Sequence, residues 1–337
     1  MMVDDPIPLK EGYEHHRAGR LKEAHDVYRV VVTNEPENAP AHYLLGTLYM
    51  QGGEYEVAVE LLQKAADLDG ENNEYRCNLG TALLQVGRMD EGIAALKSTL
   101  EAEPEHILAH SNLANAYAKK GETEQAETHL KAIIRTDSRN ARAYSDLGVI
   151  MAEAGNHSQA IENFRRALDL QPGDADFQIN LANALLETGD VDGAISRYQR
   201  LLEQGPRSSL ARFHLGIAYL RKGEFEKAIA DFRQATEISP NFAEARVNLV
   251  SVLLQTGRDS EAESEAHEGV RLTPENAFAH NALANALLRA GKADQALEAA
   301  ERALALDPGL EKAAKIRGEA QDEMDAARSG PESGPGS

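Results

Sequence analysis

Along residues 141 to 154, ARAYSDLGVIMAEA, the side chains of Tyr144, Leu147, Gly148 and Met151 stand at three- and four-residue intervals, which predicts one apolar stripe on a helix. Gly155 follows, and its freedom to take a left-handed backbone predicts the helix end. A second amphipathic run, with Ala160, Ile161, Phe164, Ala167, Leu168 and Leu170, predicts another helix that Pro172 stops. Together the two runs predict an antiparallel helix pair.

The same pattern returns every 34 residues without an insertion, punctuated by Gly19, Gly53, Gly87, Gly121, Gly155, Gly189, Gly223, Gly257 and Gly291. Seven residues before each of these glycines stands a small residue: Gly12, Gly46, Gly80, Ala114, Gly148, Ala182, Gly216 and Ala284, with only Val250 larger. Five residues after each glycine comes alanine, or Gly92 in the third copy. Small residues at these places let two helix backbones approach closely. Near the end of the unit stand Pro36, Pro104, Pro172, Pro206, Pro240, Pro274 and Pro308, with Gly70 and Ser138 in the other two copies. One such pair buries too little apolar surface to offset the entropy of ordering it, so each unit depends on its neighbours.

The set Leu147, Gly148, Met151, Gly155, Ala160, Phe164, Ala167 and Pro172 resembles the tetratricopeptide repeat family, as does Leu215, Gly216, Tyr219, Gly223, Ala228, Phe232, Ala235 and Pro240. The resemblance covers residues 5 to 310 as nine repeats beginning at 5, 39, 73, 107, 141, 175, 209, 243 and 277. The early tryptophan of that repeat is replaced by His42, Arg76, His110, Tyr144, Gln178, Arg212, Arg246 and His280. The resemblance implies an all-α, right-handed superhelix of helix-turn-helix repeats, with a concave face made by the first helices, and recognition of another protein.

The ends read as caps. Pro6 and Pro8 delay the first helix, and Glu11 occupies the place of a leucine found in every other copy. Residues 311 to 328 restart the pattern, but Asp325 replaces the punctuating glycine, predicting one capping helix that buries Ile316, Ala320 and Met324 against repeat 9. Residues 1 to 4 and the tail 329 to 337, SGPESGPGS, are expected to be disordered. Repeat 8 is the expected soft joint, because its second helix offers only Ala262, Ala266, Val270 and Leu272 where repeat 7 offers Ile229, Phe232 and Ile238.

Composition narrows the partner. The formal charge of −20 makes nucleic acid or an anionic lipid surface a poor match, and no apolar run approaches membrane-spanning length. The single cysteine, Cys77, excludes an internal disulfide framework, and the opening MMVDDPIPLKEG lacks the features of a secretory signal; both point to a cytoplasmic protein. No HExxH, paired cysteines or phosphate-cradling glycine loop is present, and His15 and His16 diverge on one helix. No metal, cofactor or catalytic residue is therefore expected.

Within the family's geometry the sixth residue of each repeat faces the concave groove and the ninth lies a turn further on. The sixth positions read Lys10, Leu44, Asn78, Asn112, Asp146, Asn180, His214, Asn248 and Ala282; the ninth positions add Asn115, Asn183 and Asn285, and Asn281 adjoins them. A side-chain amide carries donors and an acceptor, so a row of them can pair with the backbone of an extended peptide. Adjacent repeats about 10 Å apart and a peptide advancing about 3.3 Å per residue meet once every three residues. The row resembles the asparagine ladder of glycosyltransferases that attach O-linked N-acetylglucosamine, interrupted here by Asp146 and His214. The alternative is that each amide serves only packing between repeats. A basic clamp for a terminal carboxylate is not supported, since Ser111, Asp146, Asp176 and Asn180 surround Asn115. Tyr13, Tyr43, Leu44, Met50, Phe213 and Phe278 are candidate apolar anchors, with inter-repeat packing as their default role, and Cys77 is expected to face the groove.

The expected function is a non-catalytic scaffold or adaptor that binds an extended peptide. Two alternatives are a structural scaffold that self-associates through its terminal repeats and a detached recruiting array for a separate transferase.

Overall fold

The computed structural model describes residues 7–205 and 207–328; the tails expected to be disordered and the stop at Pro206 lie outside them. Among the described residues there are nineteen α-helices and no strand. By backbone contacts the chain divides into two compact units, one ending at Pro172 and one beginning at Gly173.

In the first unit α1 (Ile7–Arg17) and α2 (Leu21–Asn34) form repeat 1, α3 (Ala39–Gln51) and α4 (Tyr55–Leu68) repeat 2, and α5 (Asn73–Gln85) and α6 (Met89–Ala102) repeat 3. Repeats 4 and 5 are α7 (Ile107–Lys119) with α8 (Thr123–Thr136) and α9 (Ala141–Glu153) with α10 (His157–Leu170). The second unit holds α11 (Ala175–Glu187) and α12 (Val191–Gln204), α13 (Ser209–Lys222) and α14 (Phe225–Ile238), α15 (Ala243–Gln255) and α16 (Asp259–Leu272), and α17 (Ala277–Arg289) and α18 (Ala293–Leu306). It ends in α19 (Glu311–Arg328). Within each unit a first helix packs on the second helix of its own repeat, and that second helix packs on the next repeat's first. Helix α1 is two residues shorter than its counterpart α3, 11 against 13, and carries Pro8 in its first turn, where a missing N–H leaves nothing unsatisfied. Helix α19 buries Ala313, Ile316 and Ala320; Met324 stays partly exposed.

All nine punctuating glycines have positive φ, from 70° at Gly291 to 86° at Gly189. Open space surrounds a Cβ built on any of them, so backbone conformation and not crowding selects glycine there. The other end of each first helix is closed by a signal absent from the apolar pattern. The residue just before the helix caps it with a side-chain acceptor: Asn38, Asn72, His106, Asn140, Asp174, Ser208 and Asn276 each accept a backbone N–H of the first turn. Phe242 breaks this series and instead packs against Phe213, ring centroids 4.9 Å apart.

The small residue within each first helix is matched to the large one facing it. A Cβ on Gly148 would lie 2.6 Å from the Phe164 ring, and one on Gly216 would lie 2.7 Å from Phe232. Gly12 meets Tyr28 in the same way at 2.6 Å, while Gly46 and Gly80 face Leu62 and Leu96. Repeat 8 inverts the order, for Val250 stands in the small position and Ala266 in the large one, both buried. The exchange does not fill the space completely: Val250, Ala266, Gly269, Ala279 and Leu272 line an apolar cavity of about 10 Å³.

Five of the eight residues that stand at the family's tryptophan position are fastenings. Nε2 of His42, His110 and His280 lies 2.9 Å from the carbonyl oxygen of Pro36, Pro104 and Pro274 respectively. Arg76 and Arg246 reach the Gly70 and Pro240 carbonyls with their guanidinium groups. Each therefore ties a first helix to the turn before it, satisfying a carbonyl of that turn.

At His110 the fastening fixes a tautomer. A carbonyl only accepts, so Nε2 carries the proton, and Nδ1 is left to accept from Nδ1–H of His129 at 2.8 Å. Tyr117 stacks on the His129 ring at 5.6 Å, and Lys97 Nζ lies over the Tyr117 ring. Burial first, then His110 and Lys97, push the His129 pKa down to about 4. The unfolded chain takes up this proton near pH 6.5, so between about 6.5 and 4 the unfolded state binds more protons than the folded one. The pair's contribution to stability is complete above that window, falls as pH drops through it, and is lost below it. The urea midpoint should therefore decline more steeply from pH 7 to 4 in the wild type than in His129→Gln, while His214, whose pKa burial also lowers, contributes equally to both. Parallel declines would show that the pair does not carry the effect.

Candidate functional site

The structure separates the asparagines by what they already touch. In the first unit Asn78 donates from Nδ2 to the Tyr43 hydroxyl at 2.9 Å, and that hydroxyl donates to Glu74 at 2.8 Å. Burial, and then the bond to Glu74, hold the Tyr43 phenol protonated well above its usual range. Asn112 donates to Thr81 Oγ1 at 2.7 Å. Both amides thus join a first helix to the preceding one. Asp146 accepts from Arg142 on its own helix at 2.8 Å; burial raises its pKa and Arg142 opposes that shift. Asn115 is exposed.

In the second unit the Asn183 carbonyl oxygen accepts from the Tyr198 hydroxyl at 2.5 Å, and His214 stacks on that tyrosine with centroids 5.8 Å apart. Asn248 donates to the Glu244 carbonyl of its own helix at 2.8 Å. Asn180 is partly buried. Asn281 and Asn285 differ from these. They come together in a groove of about 450 Å³ between α15, α17 and the start of α19, lined also by Val247, Ser251, Phe278 and Leu310. The Asn281 Oδ1 atom is buried there without a donor, and Asn285 is exposed. Phe278 is 55% exposed, the groove's apolar wall.

The other apolar candidates serve packing. Tyr43 stacks on Tyr75 at 4.7 Å, and Phe213 packs between Phe232 and Phe242. Cys77, expected to face the groove, is 1% exposed, and burial pushes its thiol pKa up to about 11. It is an inert core residue, because its position turns the small side chain between adjacent helices instead of toward solvent. The contributions of Val247, Leu310, Glu311 and Lys312 to the groove were not legible in the sixth and ninth positions. They come from the fifth position of repeat 8 and from the junction where the last repeat meets the capping helix.

Antiparallel helix pairs of one length, closed by positive-φ glycines, matched small to large, and presenting a groove on their first helices, define an all-α repeat protein. The chain belongs to the tetratricopeptide repeat family. Tetratricopeptide repeat profiles match residues 77–126, 111–175, 179–243, 219–286 and 277–310. A profile for subunit 3 of the anaphase-promoting complex, cyclosome, matches residues 17–99. Among solved structures, a tetratricopeptide repeat protein from Parabacteroides merdae is similar at 16% identity and a TM-score of 0.59, covering 87% of this chain and 98% of that one. The APC/C hetero-tetramer Cut9-Hcn1 is similar at 16% identity and a TM-score of 0.54, covering 88% of this chain and 59% of that one. MamA is similar at 24% identity and a TM-score of 0.47 over 52% of this chain and 99% of that one. The first two likenesses show the fold. No curated protein matches the chain. Among the described residues no helix is long and apolar enough to cross a membrane, and no group of three or more His, Cys, Asp or Glu side chains is placed to hold a metal ion.

Proposed function

We propose that this protein is a non-catalytic interaction scaffold that takes an extended segment of a protein partner in the groove of its second unit. The observation that carries the reading is the Asn281 carbonyl oxygen, buried without a donor beside an exposed Phe278. A buried acceptor left unpaired costs about 1–3 kcal/mol, and because this oxygen has almost no accessible surface, the Asn281 side chain must turn into the groove for a peptide N–H laid along α17 to relieve it. Asn285 offers both a donor and an acceptor to the same backbone, and Phe278 with Leu310 and Val247 offers a seat for one apolar side chain. Asn78 and Asn112 of the first unit bond between repeats and support this reading less.

The test is crosslinked capture from the source cell with the full chain, compared with a variant carrying Phe278→Ala, Asn281→Ala and Asn285→Ala and showing the same helicity. A partner recovered by the wild type and lost by the variant supports the groove. The same partners recovered by both would overturn it.

A further inference from the structure

Carboxylates stand on both helices that flank α17: Glu311 lines the groove, and Glu244 lies on α15 outside its lining. Glu244 lies one helical turn before Val247 on α15, and Glu311 opens α19; both are exposed, and among the described residues neither forms an ion pair. Lys312 is the one cation among the groove's lining residues, on a chain of formal charge −20. Helix α17 packs against both α15 and α19. At a helix spacing of about 10 Å, carboxylates on the two flanking helices sit about three extended residues, at about 3.3 Å each, to either side of the seat at Phe278.

Resting on the function proposed above, we infer that the groove selects an extended segment in which an apolar side chain is flanked by lysine or arginine about three positions away on each side. The apolar side chain covers Phe278 and Leu310, a backbone N–H donates to Asn281 Oδ1 once that side chain turns into the groove, and the flanking cations meet Glu244 and Glu311. Proline is excluded from the residue facing Asn281, because it has no N–H to give.

The experiment selects a phage-displayed library of random dodecapeptides on the immobilised full chain and then titrates synthetic copies of the enriched peptides. Enriched sequences should carry the apolar residue with basic flanks. Their affinity should fall at least about tenfold with Phe278→Ala and fall with added salt. Glu244→Lys with Glu311→Lys should weaken binding of the same peptides at least about tenfold. Glu56→Lys with Glu60→Lys, which changes net charge equally on the exposed face of α4, should leave it within about twofold. Lys312→Gln should leave affinity equal or higher.

No enrichment at all would overturn both the proposed function and this inference. Peptides that depend on Phe278 but lack basic flanks, or that lose equal affinity in the two charge-reversed variants, would overturn the inference and leave the groove standing. Acidic flanks with loss of binding in Lys312→Gln would also overturn it.

Discussion

Gly148→Ala should destabilise the first unit although alanine favours helix, and Phe164→Leu should rescue it. The new methyl group would stand 2.6 Å from a ring that is 2% exposed and closed in by its neighbours. Overpacking of this kind costs about 1–3 kcal/mol, more than the propensity gain of about 1 kcal/mol from replacing glycine in a helix. Repeat 4 already shows the accommodated form, with Ala114 in the small position and Leu130 in the large one. The double variant should therefore be more stable than Phe164→Leu alone by the propensity gain of about 1 kcal/mol, giving a coupling energy of about 1–3 kcal/mol in urea melts. Additive effects of the two substitutions would refute the size match.

Glu265→Ala should weaken repeat 8 markedly. Arg246 Nη1 and Glu265 Oε2 are 2.5 Å apart, with side chains 10% and 27% exposed. Removing the carboxylate strands a guanidinium with only the Pro240 carbonyl at 3.4 Å, and an uncompensated buried charge costs about 3–5 kcal/mol. Solvent at the Glu265 end reduces the expected loss to about 2–3 kcal/mol. Arg246→Met combined with Glu265→Ala should recover most of it, since no buried charge remains. The readout is amide exchange across α16. That helix buries only Ala262, Ala266 and Gly269, whereas α14 buries Ile229 and Phe232 among others, so α16 should exchange faster even in the wild type. Exchange equal in the two helices would remove repeat 8 as the soft joint, and an undamaged Glu265→Ala would show that the ion pair is not structural.

Helix pairs were readable before any coordinates because their causes lie within a few residues. The spacing of Leu147, Gly148 and Met151 sets a face, Gly155 ends it, and Pro172 prevents the next helix from running on. The value of His42, His110 and Arg246 was not readable. Each stands where an apolar ring is customary and looks like a degenerate substitution until its carbonyl partner six residues back is in view. The capping series at Asn38, Asn72 and Asn140 was equally silent, because it falls outside the apolar stripes.

The sequence by itself determined the all-α repeat, its 34-residue period and the placement of glycine where φ is positive, since backbone preference and apolar periodicity act locally. Only the tertiary structure decided which amides remain available. Asn78 and Asn112 find their partners on the preceding repeat, 35 and 31 residues away, while Asn281 meets no donor. Residues of one type at related positions thus divide between those bonded to a neighbouring repeat and those whose acceptor is left without a donor. What divides them is the neighbour that folding brings alongside, which no local pattern encodes.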